Sequence, residues 1–219
     1  MTISGLPKSR KTTFLQFFMG SLLTGKEYFS IKGVKVENLT LVDTEQGQED
    51  FERQYKSLTD LIETKPQNFN AYLFRQYEPE QIFAGIEYLL ENSKIDCLVI
   101  DNITELAMNP NDPIEARKIN QKLKTWSTSY NCAIIVILHN SKGNDFTTGH
   151  LGSYLDRGCQ ALINIERDVE LPISTMSAKY LRSDREFIPI PVQMDLNTKK
   201  FKQLDYVAPV EDQKRAPFE

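Results

Sequence analysis

The sequence predicts an α/β fold in which helices flank a mainly parallel β-sheet. Short apolar segments of strand length alternate with longer segments of helical spacing, which is the pattern of successive βαβ units. Residues 97–100 and 133–138 are apolar at every position, as expected for central strands covered on both faces. With 219 residues, of which 40% are hydrophobic and 26% charged, the chain can bury one full core.

The same pattern places the individual elements. After residue 158 the apolar segments become short and partly alternating, which predicts antiparallel strands that extend the sheet. Prolines mixed with charges in residues 207–219 predict an unstructured tail behind one domain of residues 1–206. The predicted strands are 39–43, 71–74, 97–101, 133–138, 161–166, 174–180, 187–193 and 201–204, and the predicted helices are 12–23, 48–62, 79–92 and 113–130.

Charge and composition limit the partners and the location of the protein. The 26 basic and 30 acidic residues give a net charge of −4, so any contact with DNA would need a local basic surface. No apolar stretch approaches the roughly 20 residues of a membrane span, and no secretory pattern is present at the start. Three widely separated cysteines, Cys97, Cys132 and Cys159, are typical of reduced core thiols. These features predict a cytoplasmic protein without a membrane partner.

A segment near the start of the chain carries the spacing of a phosphate-binding loop. Such a loop needs glycine where backbone amides crowd the anion, lysine for the outer phosphates and a hydroxyl group for magnesium. Arg10 occupies the place of the second glycine, which leaves the loop shape open, and the alternative interpretation is a lysine-rich turn before a helix. Lys8 and Arg10 add positive charge beside the predicted phosphates. The predicted nucleotide-binding residues here are Gly5, Leu6, Pro7, Lys8, Ser9, Arg10, Lys11, Thr12 and Thr13.

Two carboxylates follow predicted buried strands and complete the chemistry of nucleotide hydrolysis. Asp101 ends the apolar strand 97–101, where a carboxylate can orient Mg²⁺ together with Thr12. Glu45 follows the strand 39–43 and is the predicted base that activates the attacking water. The alternatives are that Asp101 only starts a turn with Asn102, and that Glu45 is a first-turn acid favoured by a helix dipole.

The order of these segments resembles the RecA-like P-loop ATPases, and within them the replicative-helicase branch of DnaB-type and plasmid RepA helicases. Residues 5–13 resemble the Walker A loop, residues 41–45 the strand before the catalytic glutamate, and residues 97–101 the Walker B strand. Residues 136–143 resemble the strand whose polar end senses the γ-phosphate, which assigns Asn140 to the nucleotide site. Residues 148–153 resemble the loop and helix that follow it.

The resemblance implies a RecA-like core that binds ATP and Mg²⁺ and assembles as a homo-oligomer, with a hexameric ring as one form. In these families a lysine and an arginine of one subunit reach the nucleotide of the next, and Lys179 and Arg182 stand where that pair is expected. Their separation is one residue wider than the usual Lys-x-Arg, and two surface cations at a strand end are the alternative.

The function predicted from these residues is ATP hydrolysis in DNA replication, mobilisation or related DNA metabolism, with single-stranded DNA as a candidate partner. In that mechanism Lys11 neutralises phosphate charge and Glu45 orients the water. A nucleotide-gated regulatory or scaffold ATPase with little turnover is the alternative, favoured by Arg10 and by the acidic net charge. A small-molecule kinase on the same phosphate loop is the third hypothesis.

Overall fold

The sheet is built around the short strand that leads into the predicted phosphate loop. The computed structural model describes residues 1–140, 149–183, 185–198 and 200–207. The described strands are β1 Thr2–Gly5, β2 Glu27–Tyr28, β3 Ile31–Lys32, β4 Leu39–Asp43, β5 Phe69–Leu73, β6 Cys97–Asp101, β7 Ala133–His139, β8 Ala161–Arg167, β9 Ile173–Leu181, β10 Ile190–Met194 and β11 Phe201–Gln203. The described helices are α1 Lys11–Thr24, α2 Gln48–Ile62, α3 Pro79–Asn92, α4 Pro113–Ser129 and α5 Gly149–Gly158, with a 3₁₀ turn at Ile103–Leu106.

Nine of the described strands form one sheet in the order β11-β10-β9-β8-β1-β7-β6-β4-β5. The strands from β8 to β5 in this order are parallel, and β9, β10 and β11 continue the sheet in antiparallel fashion. The predicted α/β fold with a mainly parallel sheet is therefore confirmed. One detail was wrong, because β8 runs parallel to β1 and only its pairing with β9 is antiparallel. Helix α5 lies between β7 and β8 in the chain and provides the crossover that a parallel connection requires.

Parallel pairing brings the carboxyl ends of four strands to one edge of the sheet. In the register of the strands, Asp43 at the end of β4 lies opposite Asp101 at the end of β6. Gly5 at the end of β1 lies opposite His139 at the end of β7. Polar residues that are far apart in the chain thus meet at the edge where open α/β sheets bind their ligands.

Side chains of the central strands alternate between two apolar cores, one on each face of the sheet. In β6, Cys97 and Val99 face the core formed with α1 and α2, whereas Leu98 and Ile100 face the core formed with α3, α4 and α5. This explains why every residue of the strand is apolar, since both of its faces are buried. Burial raises the pKa of the Cys97 thiol to about 12, as expected for an inert core thiol.

The hairpin β2–β3 was not predicted. Its two turn residues, Phe29 and Ser30, both have positive φ angles, 51° and 58°. Two-residue hairpin turns with positive φ at both positions usually contain Asn and Gly, so Phe-Ser carries no recognisable signal. The Phe29 ring packs 4.3 Å from the ring of Phe17 on α1, which indicates that tertiary packing holds the turn.

The sequence patterns also gave no bounds for β1, α5 and the 3₁₀ turn, and the remaining differences are shifts of element ends. The bounds of β4, β6, α2 and α3 are as predicted, and α1 begins one residue earlier than expected, at Lys11. Strand β10 begins at Ile190 and not at residue 187. Most of the predicted tail, residues 208–219, lies outside the described residues. Among the described residues no helix has the length and apolar character needed to cross a bilayer.

The single tryptophan is expected to be a major contributor to the stability of the fold. Trp126 on α4 is 2% exposed, its ring lies 5.8 Å from the ring of Phe83 at an interplanar angle of 56°, and its indole N–H donates to Glu87 over 3.2 Å. Replacing Trp126 with Ala should lower the free energy of unfolding by about 3–5 kcal/mol, because a cavity remains. Urea denaturation followed by circular dichroism measures this loss. Ile114→Ala on the same helix, where Ile114 is 78% exposed, should change stability by less than about 0.5 kcal/mol, and equal losses would contradict the assignment.

Candidate nucleotide-binding site

The loop that follows β1 begins at a position where only glycine fits. A Cβ atom on Gly5 would lie 2.4 Å from the carbonyl oxygen of Ile165 on β8 and 2.7 Å from the hydroxyl oxygen of Ser9. Real Cβ atoms do not approach that closely, so the backbone contact between the loop and β8 depends on glycine. Ser9 is buried, and its hydroxyl has no hydrogen-bond partner among the described residues. The crest of the loop, formed by Leu6, Pro7 and Lys8, is exposed.

Arg10 adopts the backbone conformation that glycine would normally supply. Its φ and ψ angles are 72° and 31°, in the left-handed region, which costs a non-glycine residue about 1–2 kcal/mol. The guanidinium group donates to the carbonyl oxygen of Pro172 over 2.7 Å and to the hydroxyl of Ser174 over 3.3 Å. The structure therefore accommodates the substitution in the loop motif, and the Arg10 charge contacts the turn before β9.

The amino terminus of α1 is left open to an anion. The first N–H groups of a helix have no carbonyl partner within the helix and carry partial positive charge. Helix α1 has no side-chain cap and no acidic residue in its first turn. Helix α4 differs, because Asp112 accepts hydrogen bonds from two of its first amides, and α2 has Glu49 and Asp50 in its first turn. Such an uncapped helix start directly after a loop can bind phosphate.

Lys11 points into this loop from the first turn of α1. The side chain is buried, and its Nζ atom donates to the carbonyl oxygens of Gly5 over 3.0 Å and Leu6 over 2.9 Å. The third donor is directed at Nδ1 of His139, 2.9 Å away. Burial lowers the pKa of Lys11 to about 8. An anionic phosphate in the loop would stabilise the charged form of this amine.

Two buried carboxylates lie side by side beneath the loop. Asp43 and Asp101 are opposite each other in register, and one oxygen of each has no hydrogen-bond partner among the described residues. Burial, reinforced by the charges of Asp43 and Glu45, raises the pKa of Asp101 to about 7. Burial also raises the pKa of Asp43 above its usual range. A cation at this position would offset the cost of ionising Asp101, so the orphaned oxygen fits a Mg²⁺ site.

The described side chains do not form a complete metal cage by themselves. No group of three or more His, Cys, Asp or Glu side chains with metal-binding geometry occurs in the described part of the chain. Magnesium characteristically takes one or two carboxylates and completes its shell with phosphate oxygens and water. Two protein ligands can therefore be enough for a nucleotide-bound Mg²⁺, and the predicted pair is Thr12, half-buried on the first turn of α1, and Asp101.

Thr44 and Asn102 fix the ends of β4 and β6 to each other. The N–H of Thr44 donates to the carbonyl oxygen of Asp101 over 2.7 Å, and its hydroxyl donates to the carbonyl of Asn102 over 2.7 Å. Asn102 Oδ1 also accepts from the N–H of Thr104 and thereby caps the 3₁₀ turn. The turn after β6 is thus built by Asn102, which leaves the Asp101 carboxylate out of it.

Glu45 lies in the loop between β4 and α2, at the same edge of the sheet. It precedes the first residue of α2 by three positions and is not one of the first-turn acids of that helix. Its Oε2 atom lies 3.2 Å from Nε2 of His139 and 3.5 Å from Nδ2 of Asn102. The hydrogen bond from His139 lowers the pKa of Glu45, so the carboxylate is held ionised. An ionised, half-exposed carboxylate at this edge can accept a proton from water or orient it.

His139 links the predicted lysine and the predicted base, and the sequence did not identify it as a site residue. Its Nδ1 faces the ammonium group of Lys11, which can only donate, and its Nε2 faces the carboxylate of Glu45. A signal was present, because His139 directly follows the longest apolar run of the chain, at the carboxyl end of a central strand. That position marks the ligand-binding edge of a parallel sheet.

Asn140 lies beside the loop, and its role at the nucleotide stays a prediction. Its N–H donates to the carbonyl oxygen of Gly5 over 3.0 Å, and its Nδ2 donates to Oδ1 of Asn164 over 3.2 Å. Asn164, a second residue missed in the sequence, also accepts from Ser4 and donates to Glu166. Asn140 Oδ1 is buried without a partner among the described residues. Residues 141–148, which complete the predicted sensor segment, lie outside the described residues.

Lys179 and Arg182 do not meet the other candidate residues within one chain. Strand β9 is antiparallel to β8, so Ser174 at its start pairs with Arg167, whereas Leu181 at its end pairs with Ala161. The cationic pair therefore lies at the edge opposite the phosphate loop, and the Arg182 guanidinium donates to the carbonyl of Arg157. Only a neighbouring subunit could place these residues at a nucleotide, and that role stays a prediction.

The fold and the loop define a P-loop nucleotide-binding protein with a RecA-like core. A family model described as an AAA domain matches residues 1–145, about two thirds of the 219 residues. The chain belongs to this AAA domain family, and it is an ATPase of the P-loop class. No curated protein matches the sequence. Its assignment to the branch of RepA and DnaB-type helicases stays a prediction.

The raised pKa of Asp101 predicts a stability that depends on pH. Because the carboxyl group titrates near pH 7 in the folded chain and near pH 4 when unfolded, its stabilising contribution is complete below about pH 4 and is lost as pH rises through about 7. An Asn side chain does not ionise, so Asp101→Asn avoids the destabilisation that ionised Asp101 causes at high pH. At pH 8 the free energy of unfolding of the variant should exceed that of the wild type by up to roughly 4 kcal/mol.

Urea denaturation at pH 5 and pH 8, in EDTA and without nucleotide, measures this difference. The gain should be clearly smaller at pH 5, since wild-type Asp101 is then largely protonated in the native state. Asp60→Asn, at an exposed site on α2, should show no such pH dependence. A destabilised Asp101→Asn variant at pH 8 would contradict the electrostatic account.

Proposed function

We propose that this protein hydrolyses ATP at the carboxyl edge of its sheet, as a homo-oligomer that acts on or with DNA. The observation that carries the hydrolysis is the convergence of Lys11, Asp101 and Glu45, from three separate segments, around one uncapped helix start. Such a set contains a phosphate-binding cation, a metal-orienting carboxylate and a water-orienting carboxylate.

Phosphate binding falls to the loop after Gly5 and the first turn of α1. The open amides of α1 would donate to phosphate oxygens, and Lys11 would exchange its bonds to the Gly5 and Leu6 carbonyls for bonds to the outer phosphates. The buried surroundings of Lys11 strengthen that attraction, since a charge pair in a low-dielectric site is poorly screened. Mg²⁺, held by Thr12 and Asp101, would neutralise the charge that develops on the phosphate oxygens.

Glu45 is the proposed water-orienting residue. Its carboxylate is kept ionised by the hydrogen bond from His139, and about half of the side chain is exposed to solvent. To reach a water in line with the terminal phosphate, Glu45 must share or release its contact with His139. A phosphate that draws Lys11 away from Nδ1 of His139 would weaken that contact, so substrate binding would free the base.

The nucleotide-gated ATPase with little turnover is the second candidate. It is favoured by the chain of contacts from Lys11 through His139 to Glu45, which occupies the proposed base in the structure described here. If ATP did not release that contact, the protein would bind nucleotide and change conformation without rapid hydrolysis. Turnover measurements separate this candidate from the first.

Oligomerisation and DNA binding are the finer parts of the proposal. Support for the oligomer comes from Lys179 and Arg182, which lie at the edge of the sheet opposite the phosphate loop and suit delivery to a neighbouring subunit. Because the net charge of the chain is −4, single-stranded DNA would bind only at a local basic surface. We propose that the assembled ring forms this surface.

The catalytic assignments predict different defects for two variants. Glu45→Gln should retain ATP binding but hydrolyse about 10²–10³ times more slowly, because the general base is lost. Lys11→Ala should lose both binding and hydrolysis, since the outer phosphates lose their cation. Calorimetric titration measures binding and a coupled ADP-release assay measures the rate, with Glu49→Gln in the first turn of α2 as the matched control. Equal rates for wild type and Lys11→Ala would remove the proposal, and tight wild-type binding without turnover would select the second candidate.

Subunit mixing tests whether the cationic pair acts between chains. The double variant Lys179→Ala, Arg182→Ala and the single variant Lys11→Ala should each be inactive alone. A one-to-one mixture should recover hydrolysis at about a quarter of the interfaces, where an intact loop meets an intact pair. Light scattering with and without ATP and single-stranded DNA establishes whether mixed oligomers form. Mixed oligomers with no recovered hydrolysis would contradict the role of the pair.

A further inference from the structure

The side chain of Arg10 joins the phosphate loop to the turn between β8 and β9. Its Nη1 atom donates a hydrogen bond of 2.7 Å to the carbonyl oxygen of Pro172, within the turn. The same atom donates a hydrogen bond of 3.3 Å to the hydroxyl of Ser174, the second residue of β9. Ser174 is almost completely buried and is paired with Arg167 on β8. One acceptor therefore lies in the turn and the other in the sheet, so Arg10 connects the phosphate loop to both.

The turn that Arg10 contacts is closed by hydrogen bonds of its own. Asp168 Oδ1 accepts from the N–H groups of Glu170 over 2.8 Å and Leu171 over 2.7 Å. The backbone N–H of Asp168 donates to the carbonyl of Ile173 over 3.0 Å, which closes the turn at its base. A compact turn of this kind can transmit a displacement of one end to the other, because few of its dihedral angles are free to absorb it.

The backbone at Arg10 explains why a side-chain anchor is needed there. A left-handed conformation is unfavourable for arginine and favourable for glycine, so the backbone conformation of Arg10 must be stabilised by contacts of its side chain. Both hydrogen bonds are donated by one nitrogen, Nη1, at the end of the long arginine side chain, and glycine or alanine at this position would have no such donor. Hydrogen bonds to a charged donor are among the stronger ones in proteins. The anchor thus compensates for the strained backbone.

We propose that Arg10 is a positioning residue that clamps the phosphate loop to the β8–β9 turn, so that binding of a nucleotide to the loop orders the turn. The clamp itself is a property of the fold, whereas its response to nucleotide rests on the proposed function. Arg10 stands directly before Lys11, which must rearrange when phosphate enters the loop. Movement at Lys11 is therefore passed through the neighbouring residue to Pro172 and Ser174.

Hydrogen exchange of backbone amides, followed by mass spectrometry, tests the clamp without nucleotide. Arg10→Ala and Arg10→Gly should both exchange roughly tenfold faster in residues 168–174 than the wild type, because both lose the anchor. Arg10→Gly also removes the backbone strain, so similar behaviour of the two variants assigns the effect to the side chain. If residues 168–174 of Arg10→Gly exchanged at the wild-type rate, the clamp would be overturned. Unchanged exchange in α4 is the control for folding.

Two further variants separate the two-acceptor geometry from simple charge. Arg10→Lys keeps the charge on a shorter side chain without the planar guanidinium, so it should lose at least one of the two contacts and exchange faster than the wild type in residues 168–174. Exchange at the wild-type rate in this variant would overturn the requirement for arginine. Ser174→Ala removes one acceptor and should give an intermediate rate. Ser177→Ala, on the same strand, is the matched control and should exchange at the wild-type rate.

Addition of Mg²⁺ and a non-hydrolysable ATP analogue tests the coupling. In the wild type, exchange should slow both in residues 6–12 and in residues 168–174, and in Arg10→Gly it should slow only in residues 6–12. If exchange in the wild type slowed in residues 6–12 but not in residues 168–174, the coupling would be overturned. No slowing of residues 6–12 in the wild type would instead refute the proposed nucleotide site, while the nucleotide-free comparison still decides the clamp.

Discussion

The register of the parallel strands is the constraint on which the rest of the structure depends. Asp43 meets Asp101, and Gly5 meets His139, because β4, β6, β7 and β1 pair without slippage along the central sheet. A shift of one residue would turn every side chain of a strand to the other face and would place apolar residues at the ligand edge. The two apolar cores oppose such a shift, since each of them takes alternate residues of the same strands.

Burial of charge at this edge has an energetic cost that the fold sustains. Desolvation lowers the pKa of Lys11 to about 8 and raises the pKa of Asp101 to about 7, so each charged form is disfavoured in the folded chain. Opposite charges arriving with a ligand, phosphate for Lys11 and a divalent cation for Asp101, would reverse both effects. The site is therefore arranged so that its electrostatic strain is relieved by the molecule that it is proposed to bind.

Arg10 shows how a departure from a motif can be absorbed by the surrounding structure. Read alone, an arginine in place of the second glycine argues against the loop geometry, because the left-handed region resists a side chain. In the fold, the guanidinium donates to the carbonyl oxygen of Pro172 and to the hydroxyl of Ser174. These hydrogen bonds stabilise the left-handed backbone that glycine would normally adopt. The first glycine position of the loop, Gly5, tolerates no such substitution, since its backbone lies against that of Ile165.

The sequence by itself determined the α/β architecture and predicted the residues proposed for the site. Uniformly apolar runs located β6 and β7, helical spacing located α2 and α3, and motif spacing located Gly5, Lys11 and Thr12, because these signals are local and repeat within a few residues. The hairpin at Phe29 and the bridging role of His139 were decided only by tertiary structure. A turn without Asn or Gly leaves no local pattern. The position of His139 after an apolar strand marks the ligand-binding edge, but it does not show the contacts with a lysine 128 positions away and a glutamate 94 positions away. Long-range packing set these contacts, and pairing across the sheet alone decided that Lys179 and Arg182 lie at the edge opposite the phosphate loop.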